Sequence, residues 1–216
     1  MILSNLKKRV FTSIFLLSLL LLIFISNLIL IYLLIVLGVM AIIEFLKLTK
    51  NIFKRTLNKF LINSFFIIYI SIFCFMFFFF SNIEQLKIIL YILLLGCIAS
   101  DIGGFVFGKI FKGPKLTKIS PNKTYAGALG SITLSLVVVN LLFLYLGNFL
   151  NYKIIIVALT TTIFCQLGDL IFSYLKRKAK IKDTGSFLPG HGGVLDRLDG
   201  IILGVPFGFL TLILLN

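Results

Sequence analysis

The sequence predicts an all-α, polytopic membrane protein of about seven transmembrane helices with its N-terminus in the cytoplasm. Three observations predict it. Of 216 residues, 60% are apolar and 13% charged, whereas a soluble domain keeps about a quarter of its residues charged. The apolar residues fall in runs of roughly twenty, the length a helix needs to cross a hydrocarbon core of about 30 Å. The 21 Lys and Arg, set against seven Asp and Glu, gather on one side of the map those runs define. A water-soluble globule is excluded, and the net charge of +14 reads as basic loops facing anionic lipid rather than as a nucleic-acid surface.

Lys7, Lys8 and Arg9 precede a greasy stretch that imitates a signal peptide, but no alanine occurs before Ala41 and no A-x-A site follows, so a retained first span is expected. Between Arg9 and Lys47 the only charge is Glu44, and the run is too long for one helix. Asn27, between Ser26 and Leu28, is its most polar break, giving spans near 10 to 26 and 28 to 46. Further spans are expected near 60 to 80, 88 to 108, 125 to 147, 154 to 174 and 198 to 215. With the N-terminus inside, 19 of the 21 basic residues face the cytoplasm and only Lys87 and Lys153 face away. Merging the first two spans would destroy that split. Cys74, Cys97 and Cys165 form no CxxC pair, so neither a disulfide framework nor a zinc site is indicated and the three read as packing residues.

The carboxylates carry the functional signal. They are Glu44, Glu84, Asp101, Asp169, Asp183, Asp196 and Asp199, and an ionised group at membrane depth is costly unless it faces a cavity, a cation or a basic partner. The plain alternative is a helix-end residue reaching water. Asp196 and Asp199, three apart at the start of the last span, are expected on one helix face, with Asp169 returning to the same side at the end of the preceding span. Three hard oxygen donors there suit Mg²⁺, which binds through one or two carboxylates plus substrate phosphates. The intervening loop, with Gly185, Gly190, Gly192 and Gly193, is rich enough in glycine for backbone amides to approach a phosphate. His191, the one histidine, is read as a hydrogen-bonding loop residue rather than a catalytic base. Lys176, Arg177, Lys182 and Lys123 supply cations, and Arg197, between two acids, can hold them or grip a phosphate with two parallel hydrogen bonds. Polyphosphate and anionic lipid are the substrate pair this chemistry favours.

From Ser173 to Asp199 the chain reads SYLKRKAKIKDTGSFLPGHGGVLDRLD, which closely resembles the long signature of the phosphatidate cytidylyltransferase (CDP-diacylglycerol synthase) family. SDIGGFVFGK from Ser100 and SPNKT from Ser120 look like that family's other polar segments, and Gln166 to Leu170 resembles its Gly-Asp-Leu element. The resemblance implies cytidylyl transfer from CTP to phosphatidate, giving CDP-diacylglycerol and pyrophosphate, with Mg²⁺ and in some members a monovalent cation such as K⁺. It implies Asp169 and Asp196 as metal ligands with Asp199 beside them, and catalytic roles for these three with Arg197 and Lys176. Substrate binding then falls to Asp101, Ser120, Lys123, Arg177, Lys182, Asp183, His191, Gly192 and Gly193. It further implies a homodimer in the inner (cytoplasmic) membrane with its active site on the cytoplasmic side. One integral membrane domain is expected, with N-terminal helices over 1–87 and a catalytic region over 88–216 that carries cytoplasmic loops 109–124 and 176–197. The same residues would serve a CTP-dependent enzyme acting on another membrane lipid, of the polyprenol kinase or CDP-archaeol synthase type. An ion-coupled transporter fits less well, since it should also place polar groups at mid-membrane and on the outer side.

Overall fold

The computed structural model describes residues 18–19, 21–117, 120, 123–147, 151–185, 187 and 192–215, and its regular elements are all helices. Helix α1 is Asn27–Ile52, α2 Thr56–Ser81, α3 Glu84–Phe111, α4 Tyr125–Tyr145 and α5 Tyr152–Lys178; a single turn, α6 (Leu195–Leu198), precedes α7 (Ile201–Leu215). Six described stretches are long and apolar enough to cross a bilayer, the last being Leu195–Leu215. They follow in order the six spans expected from position 28 onward. The first expected span, near 10 to 26, lies mostly outside the described residues, of which 18–19 and 21–25 are helical. Helices are the outcome lipid demands, because each backbone N–H and C=O must be satisfied within its own segment. At ~1.5 Å per residue a 26-residue helix such as α1 reaches about 39 Å, past the hydrocarbon core and into the headgroups. The chain breaks at Ser26, whose backbone is extended (φ −125°, ψ 117°), and Asn27 Nδ2 donates to the Ser81 carbonyl oxygen at 3.5 Å.

Contacts divide the chain into two compact units, one of residues 1–83 with 175–198 and the other of 84–174 with 199–216. The expected division at 87/88 assigned the loop 176–197 to the C-terminal helices. Its described residues group instead with the N-terminal ones, α1 meeting α6 directly. In that first unit only three residues link α1 to α2, which pair through the stacked rings of Phe45 and Phe66 and a 2.7 Å hydrogen bond from Thr49 Oγ1 to Asn63 Oδ1. Their outer faces expose Leu28, Tyr32 and Phe65, as a lipid-facing surface should.

In the second unit α3 and α4 make the most extensive contact, and α3 also packs on α7. A Cβ at Gly103 would overlap the Gly130 carbonyl oxygen, so the two backbones approach as closely as glycine permits. Ile92, Val139, Phe143, Ile154 and Ala158 form a buried cluster, and Phe164 of α5 stacks on Phe207 of α7. Cys97 and Cys165 are buried and Cys74 half-buried, all as free thiols, in keeping with packing roles.

Candidate active site

Within the second unit the polar groups gather around α5. The loop before α4 is pinned by the pairing of Lys115 with Thr124 and by Leu116 N–H donating to the Lys123 carbonyl oxygen at 2.8 Å. Lys123 N–H in turn donates to the Ser120 carbonyl oxygen at 3.1 Å, and Thr124 Oγ1 caps α4 by accepting from Gly127 N–H at 3.1 Å. So held, Lys123 places its ammonium in an ion pair with Asp169 Oδ2. Ser173, one turn further along α5, donates to Asp169 Oδ1 at 3.2 Å. The Lys123 and Asp169 side chains are 25% and 34% exposed, so both can exchange partners with an incoming ion. Asp101 is exposed on α3 with Oδ1 4.0 Å from Cys165 Sγ. Asp199 is buried, its Oδ1 accepting from Gly200 N–H at 2.9 Å. A Cβ at Gly168 would overlap the Asp199 carbonyl oxygen, which makes glycine the residue that lets this turn lie against α5 beside Asp169.

Within the first unit the centre is Asp196. Its Oδ1 accepts from Lys176 Nζ at 2.8 Å, with the two side chains only 7% and 13% exposed. Its Oδ2 accepts the backbone N–H groups of Thr184 (2.8 Å) and Gly193 (2.9 Å). Arg177, Lys182, Asp183 and Arg197 are exposed around this pair, and Gly192 takes a positive φ of 84°. His191 lies outside the described residues.

One residue of this unit escaped the sequence reading of the site. Glu44, counted among the seven carboxylates and noted as the single charge in a long apolar run but given no role, is buried and accepts from Thr184 Oγ1 at 2.7 Å, Val194 N–H at 3.0 Å and Leu195 N–H at 2.9 Å. The signal was its depth: an acid inside an otherwise uncharged span implies a dedicated partner.

Of the three carboxylates expected to hold a metal, Asp169 and Asp199 lie in one unit and Asp196 in the other. Asp196 and Asp199 do not share a helix, because α6 ends at Leu198 and Asp199–Gly200 is a turn before α7. Among the described residues no three His, Cys, Asp or Glu side chains come together as ligands. Each aspartate has partners of its own, Asp169 in Lys123 and Ser173, Asp196 in Lys176 and two amides, Asp199 in the Gly200 amide. Magnesium fits Asp169 best, since its carboxylate is partly exposed and a single carboxylate with substrate phosphates suffices for that ion. Asp196 fits less well. A carboxylate has about four lone-pair sites, and three of its are taken.

Residues 51–215 match the model of the cytidylyltransferase family. The chain is 43% identical over 142 residues to the phosphatidate cytidylyltransferase of Staphylococcus aureus (strain COL), an overlap of 64% of this chain and 54% of that protein. The corresponding protein of Staphylococcus haemolyticus is 38% identical over 141 residues, with the same coverage, and that of Mycobacterium leprae 37% over 124 residues, 57% of this chain and 40% of the other. The chain spans about half the length of the Staphylococcus relatives it matches.

Proposed function

The chain belongs to the cytidylyltransferase family, and on that premise we propose that it transfers a cytidylyl group from CTP to phosphatidate, giving CDP-diacylglycerol and pyrophosphate. The observation that carries the reading is the partly exposed ion pair of Lys123 with Asp169. In it a cation and an anion neutralise each other where the reaction supplies a polyphosphate and its counter-ion. Asp169 would hold magnesium, which when bound with the triphosphate supplies positive charge against the repulsion of two anionic reactants. Lys123, released from Asp169, turns to a phosphate oxygen. In the other unit Arg177, Lys182 and Arg197 are cationic and at least partly exposed, side chains suited to phosphate, Arg197 in the bidentate mode its fork allows. Lys176 stays with Asp196 and keeps that carboxylate ionised and oriented.

A phosphate oxygen of phosphatidate attacks the α-phosphorus of CTP; the new bond forms as the bond to the β-phosphate oxygen breaks, and pyrophosphate leaves with that electron pair. No general base is needed, because a phosphomonoester with a second pKa of about 6 is largely ionised near neutral pH. What the protein contributes is alignment of the two anions and cationic stabilisation of the leaving group. The reading places loops 109–124 and 176–197 on the cytoplasmic face of the inner membrane, supported by the 19 basic residues on that side, and takes the homodimer from the family resemblance.

The test is transfer of CTP labelled at the α-phosphate into lipid by the purified chain in detergent with Mg²⁺, offering phosphatidate, a polyprenol and an archaeal-type ether lipid phosphate as acceptors. Label in the phosphatidate product, with pyrophosphate released in equal amount, is expected. Label in another acceptor alone would replace phosphatidate in the reading, and label in none would overturn it.

A further inference from the structure

We infer that Glu44 is a positioning residue for the proposed reaction: it holds Thr184 together with Val194 and Leu195 and, through Thr184, fixes the carboxylate of Asp196. The inference rests on the cytidylyl-transfer reading for its functional half only. Glu44 lies ahead of residues 51–215, the stretch that matches the family model, and the anchor is argued from this chain's own contacts alone.

The geometry is specific. Thr184 is bound at both ends, its hydroxyl donating to Glu44 Oε2 at 2.7 Å and its backbone N–H to Asp196 Oδ2 at 2.8 Å. The residues just before Asp196 are held too, Val194 N–H by Glu44 Oε1 and Leu195 N–H by Glu44 Oε2. Asp196 is therefore fixed on two sides by contacts that lead back to one carboxylate, about 150 positions away in sequence. The glycine content of the loop follows from the same contact. A Cβ at Gly193 would overlap both Thr184 Oγ1 and Glu44 Oε2, so glycine is required there to let the backbone close around Glu44. This position thus serves an internal anion.

Among the described residues the three groups bound to Glu44 are all donors, which makes Glu44→Gln a sharp probe. A glutamine has one acceptor oxygen and one NH₂. If the NH₂ takes the Oε1 position it meets Val194 N–H, and if it takes the Oε2 position it meets Leu195 N–H. Either orientation leaves a backbone donor facing a donor. Thr184→Val removes the hydroxyl at nearly constant shape, and Thr184→Ser restores it.

The experiment uses the full chain in detergent and reads two quantities, hydrogen exchange of the peptide covering 183–195 and the rate of label transfer from CTP to phosphatidate. Glu44→Gln and Thr184→Val should each speed exchange in that peptide by about tenfold or more, with peptides from α3 and α4 unchanged. kcat should fall on the order of a hundredfold, with KM for CTP changed much less, because a misplaced group costs rate more than binding. Thr184→Ser should recover most of both. The inference is overturned if Glu44→Gln and Thr184→Val keep wild-type exchange across 183–195, or if Thr184→Ser loses as much as Thr184→Val. Should Glu44→Gln fail to fold, the Thr184 pair decides alone. A wild-type chain that labels no lipid would sink the proposed reaction, while the exchange comparison would still decide whether Glu44 holds the loop.

Discussion

Breaking the Lys176–Asp196 pair should destabilise the protein measurably, and by an amount the geometry bounds. The two side chains are 13% and 7% exposed, so the pair belongs with buried ion pairs, where losing one partner costs about 3–5 kcal/mol. The cost of Lys176→Met is smaller. Asp196 keeps the N–H donors of Thr184 and Gly193, and hydrogen bonds to a charged acceptor contribute about 1.5–3 kcal/mol each. About 2 kcal/mol is expected for Lys176→Met. Asp196→Asn can keep both amide bonds through its one oxygen but then turns an NH₂ towards the Lys176 ammonium, and about 3 kcal/mol is expected. Removing both partners relieves the donor clash, so the double variant should be less damaged than the sum of the singles by about 2 kcal/mol. For a chain of this size one kcal/mol corresponds to about 2–4 °C in Tm, so Lys176→Met should melt about 4–8 °C lower. Cys97 and Cys165 are buried free thiols, and a thiol-reactive dye that fluoresces on coupling reports their exposure during heating in detergent. If Lys176→Met melts within about 1 °C of wild type, or if the two substitutions add, the pair is not the stabilising contact described here.

Asp169→Asn should leave the Tm within a few degrees, because the Lys123 pair is partly exposed and such pairs contribute at most about 1 kcal/mol. Transfer activity should nonetheless drop by about a hundredfold or more; near-normal turnover at low Mg²⁺ would remove Asp169 from the proposed metal site. Gly168→Ala forces a Cβ onto the Asp199 carbonyl oxygen and should cost about 1–3 kcal/mol by overpacking, read as a lower thermal midpoint; an unchanged midpoint would mean the turn has room to move. In a chain with its native cysteines replaced, Lys112→Cys and Lys180→Cys should resist an impermeant thiol reagent added outside intact cells and react once the membrane is opened. Labelling from outside would invert the topology.

The helices were legible in the sequence because the bilayer reduces the problem to one dimension. An apolar run of sufficient length becomes a helix, since hydrocarbon offers its backbone no other partner, and the break at Ser26–Asn27 showed as the most polar point of a run too long for one span. The acids and bases of the site were legible as residue types, gathered at helix ends and in glycine-rich loops. Their partners were not. Helical periodicity assumed one continuous last span and so placed Asp196 and Asp199 on a shared face, whereas the turn at Asp199–Gly200 separates α6 from α7. The loop 176–197 was assigned to the helices that flank it in sequence, yet its residues Thr184, Val194 and Leu195 meet Glu44 of α1. Composition and spacing by themselves determined that this chain lives in a membrane and where its spans run. Only the tertiary structure decided which carboxylate each donor meets, because that choice depends on segments some 150 residues apart coming within 3 Å of each other, and no local pattern along the chain encodes such an approach.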